Sequence, residues 1–354
     1  MNMSTRFTCL LAALLAFAPL RAQESAPAAA LRFHDGHFKI VQFTDLHFQA
    51  NSYRSDSALV LMGKMLEIEK PDLIIITGDV VTGANRRSGW ETVARFLAAA
   101  QIPWAVVLGN HDPEGELSPA EIVAAISGRP GCLTVNGPDT LDRHGNYVLE
   151  IRSSRTEAPA ALLYGLDSGT GRPKGSALGE YEWVHFSQIA WYRAQSRLYT
   201  AANGGTPLPA LAFLHIPVPE YKEVIGLKTT VGLQREKVCS PDINTGLYAA
   251  LLESGDVMGL FAGHDHSNNY IGCLHGICLA YGYVSGRQCY GDIGRGARVI
   301  VLHEGKRQFD TWVRKLYECN RDKDVWVPAA DTTRQFVVTY PDSFDMTKPY
   351  HADH

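Results

Sequence analysis

The sequence predicts an α/β fold, with α+β character, in which two packed mixed β-sheets form a sandwich flanked by helices. Three observations lead there. Short, wholly apolar runs such as LIIIT (73–77), WAVVL (104–108) and VMGLFAG (257–263) alternate with helix-length segments, which indicates βαβ units and parallel sheet. The later runs ICLAYGYV, ARVIVLHE and FDTWVRKL read as antiparallel strands. Residues able to bind metals recur where the apolar runs stop, the end of a strand at which open α/β sheets place their ligands.

Taken in order, residues 1–22 stand apart from the fold. Arg6 precedes the apolar run FTCLLAALLAFAPL, and Arg21-Ala22-Gln23-Glu24 follows it. A basic start, a short apolar core and a small residue before a polar stretch predict a secretory signal cut near Ala22, hence a periplasmic or secreted protein. The run is short for a membrane span. Cys9 lies inside it rather than after it, so neither a lipoprotein anchor nor a stable membrane anchor is expected. Residues 23–37 read as a linker, 38–321 as the domain, and 322–354 as a polar tail over the surface.

Within the domain, FKIVQFT (38–44) is a strand ending at Asp45, and a helix over 55–70 stops at Pro71. Helix 91–100 joins the strands 73–77 and 104–108. ALLYGL (161–166) is a strand, 184–199 a helix, and LAFLH (211–215) a strand. The segment 220–242 is polar and irregular, and Ser240-Pro241-Asp242 reads as the cap of a helix over 243–253. Trp183 and Trp191 are expected in the core.

The chain has 354 residues and a formal charge of −4, or −6 once Arg6 and Arg21 leave with the signal. Nothing in it resembles a basic footprint for nucleic acid. Six cysteines follow the signal, an even count that permits disulfides in an exported protein. Cys273 and Cys278 flank a plausible hairpin tip, Leu274-His275-Gly276-Ile277, and are the best pair.

Five stretches carry the chemistry: Asp45-Leu46-His47, Gly78-Asp79, Gly109-Asn110-His111-Asp112, His215, and Gly263-His264-Asp265-His266. Asp45 and His47, two residues apart at a strand end, can reach one ion. Asp79 follows a glycine that permits a tight turn and is the natural bridging carboxylate. Asn110 offers an amide oxygen, and His215, His264 and His266 offer imidazoles. This mixed set suits two divalent or trivalent ions of the Mn, Zn or Fe type. Such a pair can clamp a phosphoryl group and supply a hydroxide nucleophile. His111, next to a ligand without having to be one, can act as the acid toward the leaving oxygen. Asp167-Ser168-Gly169 mimics an aspartic-protease motif, but no second copy follows and a turn is the better reading. Arg235, Tyr283 and Arg287, with Lys222 and Lys228, are candidate contacts for a small-molecule phosphoester.

The order DLH, GD, GNHD, isolated His and GHDH resembles the calcineurin-like metallophosphoesterase superfamily over residues 38–305. FTDLHF, PWAVVLGNHDPEG, LHIPVPEY, QREKVCSPDINTGLYAALLESGDV and FAGHDHSNNY resemble a purple-acid-phosphatase-like branch found in plants and fungi. The resemblance implies the metallophosphoesterase fold and a phosphoric ester hydrolase, with monoesters expected and diesters or nucleotide pyrophosphates as alternatives. It implies one metal on Asp45, His47, Asp79 and His266, a second on Asp79, Asn110, His215 and His264, and His111 as acid. Two departures stand out. Purple acid phosphatases carry a tyrosine ligand three residues after the bridging aspartate, where this chain has Thr82, so the iron–tyrosinate colour should be absent. Protein Ser/Thr phosphatases place an aspartate there to orient the histidine, a task Thr82 cannot do; this leaves the partner of His111 open.

Overall fold

A computed structural model describes residues 30–320 and 325–344, so the signal segment falls outside the described residues. Two mixed sheets face each other. The first is built from β1 (His37–Phe43), β2 (Leu73–Thr77), β3 (Trp104–Val107), β10 (Arg295–His303), β11 (Phe309–Asn320), β12 (Val325–Pro328) and β13 (Arg334–Tyr340). Its order is β12-β11-β10-β1-β2-β3, with β13 also paired to β11; β1, β2 and β3 are mutually parallel. The second contains β4 (Tyr147–Arg152), β5 (Pro159–Gly165), β6 (Ala210–Phe213), β7 (Val257–Ala262), β8 (Ile271–Leu274) and β9 (Ile277–Tyr281), in the order β4-β5-β6-β7-β9-β8. The run β5, β6, β7, β9 is parallel, with an antiparallel strand at each edge.

Alternation along each strand explains why the apolar runs are unbroken. In β2, Leu73 and Ile75 face the core between the sheets, where they join Phe38, Leu163, Leu211, Phe213 and Phe261. Ile74 and Ile76 point the other way, into a layer with Met62, Met65, Trp90 and Leu97. That outer layer is supplied by α1 (Tyr53–Glu69), α2 (Arg86–Ala99) and α3 (Pro119–Ile126). The second sheet is covered in the same manner by α4 (Phe186–Ala202) and α5 (Leu247–Ser254). A strand covered on both faces has no polar side to display.

Several elements differ from the sequence expectation, each for a tertiary reason. ICLAY, expected to be antiparallel, runs parallel to β7 and antiparallel only to β8. The segment after 321, expected to run over the surface, contributes β12 and β13, and Val338 and Tyr340 are buried in the inter-sheet core. The helix expected over 243–253 begins at Leu247, after Gly246 in a left-handed conformation. Asn244 accepts the Gly246 amide, and Thr245 donates to the Val184 carbonyl, so the residues before it form a turn. Helix α3, with Ser118 and Glu121 in a reciprocal capping box, and β4 were not anticipated. Trp183 and Trp191 are only partly buried; Trp183 lies beneath the Arg172 guanidinium at 5.3 Å.

The pair Cys273 and Cys278 forms a disulfide across the β8–β9 hairpin, where the two residues are direct register partners. His275 (φ 47) and Gly276 (φ 86) make the two-residue turn, a left-handed pair that suits the twist of a hairpin. Cys132, Cys239 and Cys289 are free thiols.

The inter-sheet core depends on aromatic contacts. Phe261 of β7 stacks on Phe213 at 5.4 Å and meets Phe309 of the opposite sheet edge-on at 5.9 Å. Phe261→Ala removes a fully buried ring that touches both sheets and is expected to cost about 3–5 kcal/mol. A urea titration monitored by tryptophan fluorescence checks this; an unchanged midpoint would contradict the placement of Phe261.

Candidate metal centre

All five stretches meet at strand ends. Asp45 and His47 follow β1, Asp79 follows β2, Asn110 and His111 follow β3, His215 follows β6, and His264 and His266 follow β7. The first three come from one sheet and the last two from the other. Hydrogen bonds tie the two sets together: His264 donates its backbone N–H to the Asp45 carboxylate at 3.1 Å, and His215 Nδ1 lies 2.7 Å from the Thr77 carbonyl. Asp45 (φ 53), His47 (φ 43), Asp79 (φ 50) and His264 (φ 77) hold left-handed backbones, which turns the chain sharply at each strand end.

Asp79 stands at the centre. Its Oδ2 lies 3.2 Å from His215 Nε2 and 3.6 Å from His47 Nε2, while its Oδ1 accepts the His111 backbone N–H at 2.8 Å. On one side, His266 Nε2 is 3.2 Å from Asp45 Oδ1 and 3.2 Å from His47 Nε2. On the other, Asn110 Oδ1 is 3.1 Å from His215 Nε2. Asp45, His47, Asp79 and His266 thus form one cluster of donors, and Asp79, His215 and His264 a second, each with its ligand atoms within 4.8 Å of one another. The two overlap at Asp79, as a binuclear centre requires. Three residues after Asp79 stands Thr82, so that position offers no tyrosine ligand.

The donors fit such a centre. His264 Nε2 and His266 Nδ1 are buried without a hydrogen-bond partner, an arrangement disfavoured unless something else completes it. Burial raises the Asp45 carboxyl, but the pull of His266 and His215 outweighs it and leaves the group lowered to about 2. Asp79 is likewise held well below the carboxylate range despite burial, by His215 first. Burial lowers His264 to about 3 and His47 to about 4, so both are neutral imidazoles ready to bind. Burial works in the same direction on His215, yet Asp79 reverses it and raises this ring to about 9. His266 is also raised well above its usual value, with burial opposed by Cys289 and Asp45.

Glycines make room for these groups. A Cβ on Gly109 would fall 2.2 Å from the Asp79 backbone nitrogen and 2.3 Å from its Oδ1. Two aspartates that the clusters do not use hold the turns in place. Asp112 accepts the backbone N–H groups of Val80, Val81 and Gly109. Asp265 accepts the Tyr281 hydroxyl and the Cys239 backbone N–H.

The remaining expected residues fall outside the clusters. His111 stands beside them, 43% exposed, with its ring 5.6 Å from that of His47. Tyr283, a candidate substrate contact, is buried and gives its hydroxyl to the Ile293 carbonyl, so it supports the loop instead. Arg287 lies over the Tyr317 ring at 5.6 Å, and Arg235 faces Asp292 at 3.5 Å. Asp167 closes a local turn by accepting the Gly169 N–H.

Sequence reasoning missed three neighbours. Cys289 lies within ligand distance of His47 and His266, and only its nearness in space could reveal it. Glu114 Oε1 is 2.9 Å from His111 Nδ1, a pairing that the spacing of three residues in GNHDPEG allowed. The Tyr181 ring meets His264 edge-on at 4.6 Å and lines a cavity of about 680 Å³ that also takes in Lys222 and Gln234.

Two donor clusters sharing a carboxylate, at the strand ends of a helix-flanked double sheet, define a binuclear metallohydrolase. Residues 38–268 match the calcineurin-like phosphoesterase family, and the chain belongs to it. Fold, family and donor set mark it as a metal-dependent phosphoesterase. It is 33% identical over 335 residues to a protein of Arabidopsis thaliana named "Probable inactive purple acid phosphatase 29", covering 85% of each chain. It is 32% identical over 318 residues to "Phosphatase DCR2" of Saccharomyces cerevisiae, covering 79% of this chain and 54% of that one. The solved structure of a dimetal phosphatase from Danio rerio shares the fold at a TM-score of 0.55 and 17% identity, over 82% of this chain and 98% of that one.

Two outcomes follow from the geometry. Asp79 raises His215 to about 9, so this ring holds a proton near neutral pH in the metal-free site and must lose it on binding; metal loading should therefore release at least about one proton per chain. Calorimetry in buffers of different ionisation enthalpy measures this; enthalpies independent of the buffer would refute it. Gly109→Ala should weaken metal retention at least about tenfold by displacing Asp79, as read by metal content after dialysis.

Proposed function

We propose that the protein hydrolyses phosphoric monoesters at this centre, with His111 as the proton donor to the leaving oxygen. The observation that carries the reading is the placement of Asp79: one oxygen faces histidines of both clusters, and the other holds the backbone of His111. Two bound ions would neutralise phosphoryl oxygens and acidify a water for attack. The chain's own residues do the rest. Asp79 and Asp45 hold the donor atoms in register, and Asn110 adds a neutral oxygen that keeps the second position from excess negative charge. His111, adjacent to both and open to solvent on its other side, is set to meet the ester oxygen. The cavity beside Tyr181 offers room for the alcohol portion of the substrate. The word "phosphatase" in the names of both relatives favours monoesters over diesters.

The same names favour a second reading. One relative is called inactive, and a metal-containing protein without turnover would share this fold. Against it, the ligand set and His111 are all present here. The manganese- or zinc-loaded protein should turn over p-nitrophenyl phosphate faster than bis-p-nitrophenyl phosphate, and His111→Ala should lower kcat on phenyl phosphate, a poor leaving group that needs the proton, about 10²–10⁴-fold with metal content unchanged. Turnover confined to the diester would replace the monoester reading with a phosphodiesterase. No metal-dependent turnover of either would favour the binding protein.

Export belongs to the same proposal. The predicted signal over 1–22 supports it, and the Cys273–Cys278 disulfide suits an oxidising compartment. Mass spectrometry of the protein from its native host should find a mature chain beginning near Gln23; an intact Met1 would count against export.

A further inference from the structure

We propose that Glu114 positions His111, taking over the task left unfilled by Thr82; this rests on the reading of His111 as proton donor. Thr82 is buried, and its hydroxyl finds no hydrogen-bond partner, so it orients nothing. The histidine is instead met from its own turn. The Glu114 N–H lies 3.3 Å from the His111 carbonyl, which folds the chain back so that Oε1 reaches His111 Nδ1 at 2.9 Å. Holding Nδ1 in this way leaves Nε2 as the nitrogen free to meet a substrate oxygen.

A buried guanidinium fixes the turn from beneath. Arg86 Nη1 donates to the carbonyls of Val81, His111 and Asp112, and its Nη2 stands 3.8 Å from Glu114 Oε2. One arginine therefore holds both the backbone of the histidine and the far oxygen of the carboxylate that orients its ring. Gly115 is the residue that makes this packing possible. Its φ is +131, and a Cβ there would sit 2.8 Å from Arg86 Nε. Glu114 and His111 are 56% and 43% exposed, so solvent leaves their attraction worth little to stability. The benefit lies in orientation: a ring already turned to the right angle does not lose that freedom in the transition state.

The test uses the full-length, zinc-loaded protein and its Glu114→Ala, Glu114→Gln and His111→Ala variants, plus the Glu114→Ala/His111→Ala double. Two aryl monoesters serve as probes: phenyl phosphate, whose leaving group needs a proton, and 2,4-dinitrophenyl phosphate, whose leaving group does not. Glu114→Ala should lower kcat on phenyl phosphate about 10–100-fold, and on the dinitrophenyl ester less than about threefold, with KM and zinc content unchanged. Glu114→Gln keeps an acceptor oxygen and should recover most of the rate. The double variant should be no slower than His111→Ala alone. Equal losses on both esters, or multiplicative losses in the double, would overturn the proposal. Proton NMR of the imidazole region supplies a readout that needs no turnover. A downfield Nδ1–H signal absent from His111→Ala should also vanish in Glu114→Ala, and its persistence there would refute the pairing. A wild-type protein inert toward both esters would defeat the reading of His111 as donor, and with it the proposed role, while the NMR signal would still decide whether Glu114 holds the ring.

Discussion

The site depends on one carboxylate. Asp79 is buried, held in a left-handed turn, and shared by both clusters. Its negative charge raises His215 and offsets part of the burial penalty on His47, while the histidines in turn keep it ionised. A charge buried to this degree is tolerable only with close partners on every side. A Cβ on Gly109 would strike Asp79, and one on Gly78 would strike the His215 ring and Gly109, so neither position can bear a side chain. The turns after β1, β2 and β3 are thus packed around this shared carboxylate, with Asp45 as a second anion beside it.

The sandwich architecture makes that concentration possible. Each sheet alone carries an incomplete set: Asp45, His47, Asp79 and Asn110 on one, His215, His264 and His266 on the other. Contacts between strand ends bring the halves together, including Gln42 Nε2 to the Ala262 carbonyl at 3.2 Å and the His264 amide on Asp45. Within GNHD and GHDH the residues divide the labour. Asn110, His264 and His266 face the centre, while Asp112 and Asp265 hold amide groups and keep the loops from opening. Burial pushes Asp112 up to about 7 and Asp265 up to about 6, a sign of how enclosed these supports are.

Much of this was legible because the ligand chemistry is local. A buried strand ends, a glycine turns the chain, and a donor follows; each of those signals lies within a few residues. The bounds of β2 were readable for the same reason, since LIIIT has no polar face. What escaped depended on partners far away or on rotamers. The direction of β9 is set by its pairing with β7, not by its composition. β13 (RQFVVTY) reads as part of the polar tail around it, although its Val338 and Tyr340 reach the core. Tyr283 seemed available for substrate until its hydroxyl was found on Ile293. The role of Cys289 at the edge of one cluster has no sequence signature.

The four left-handed ligands have a consequence for how this protein can be altered. Asp45, His47, Asp79 and His264 each occupy a backbone region that costs a side-chain-bearing residue on the order of 1 kcal/mol or more. Glycine would relax every one of them. Selection for thermal tolerance without regard to chemistry would therefore drift toward glycine at these positions, and each gain in folding free energy would erase a donor. Hardening this scaffold calls for changes elsewhere, in the helical layers and the outer strands.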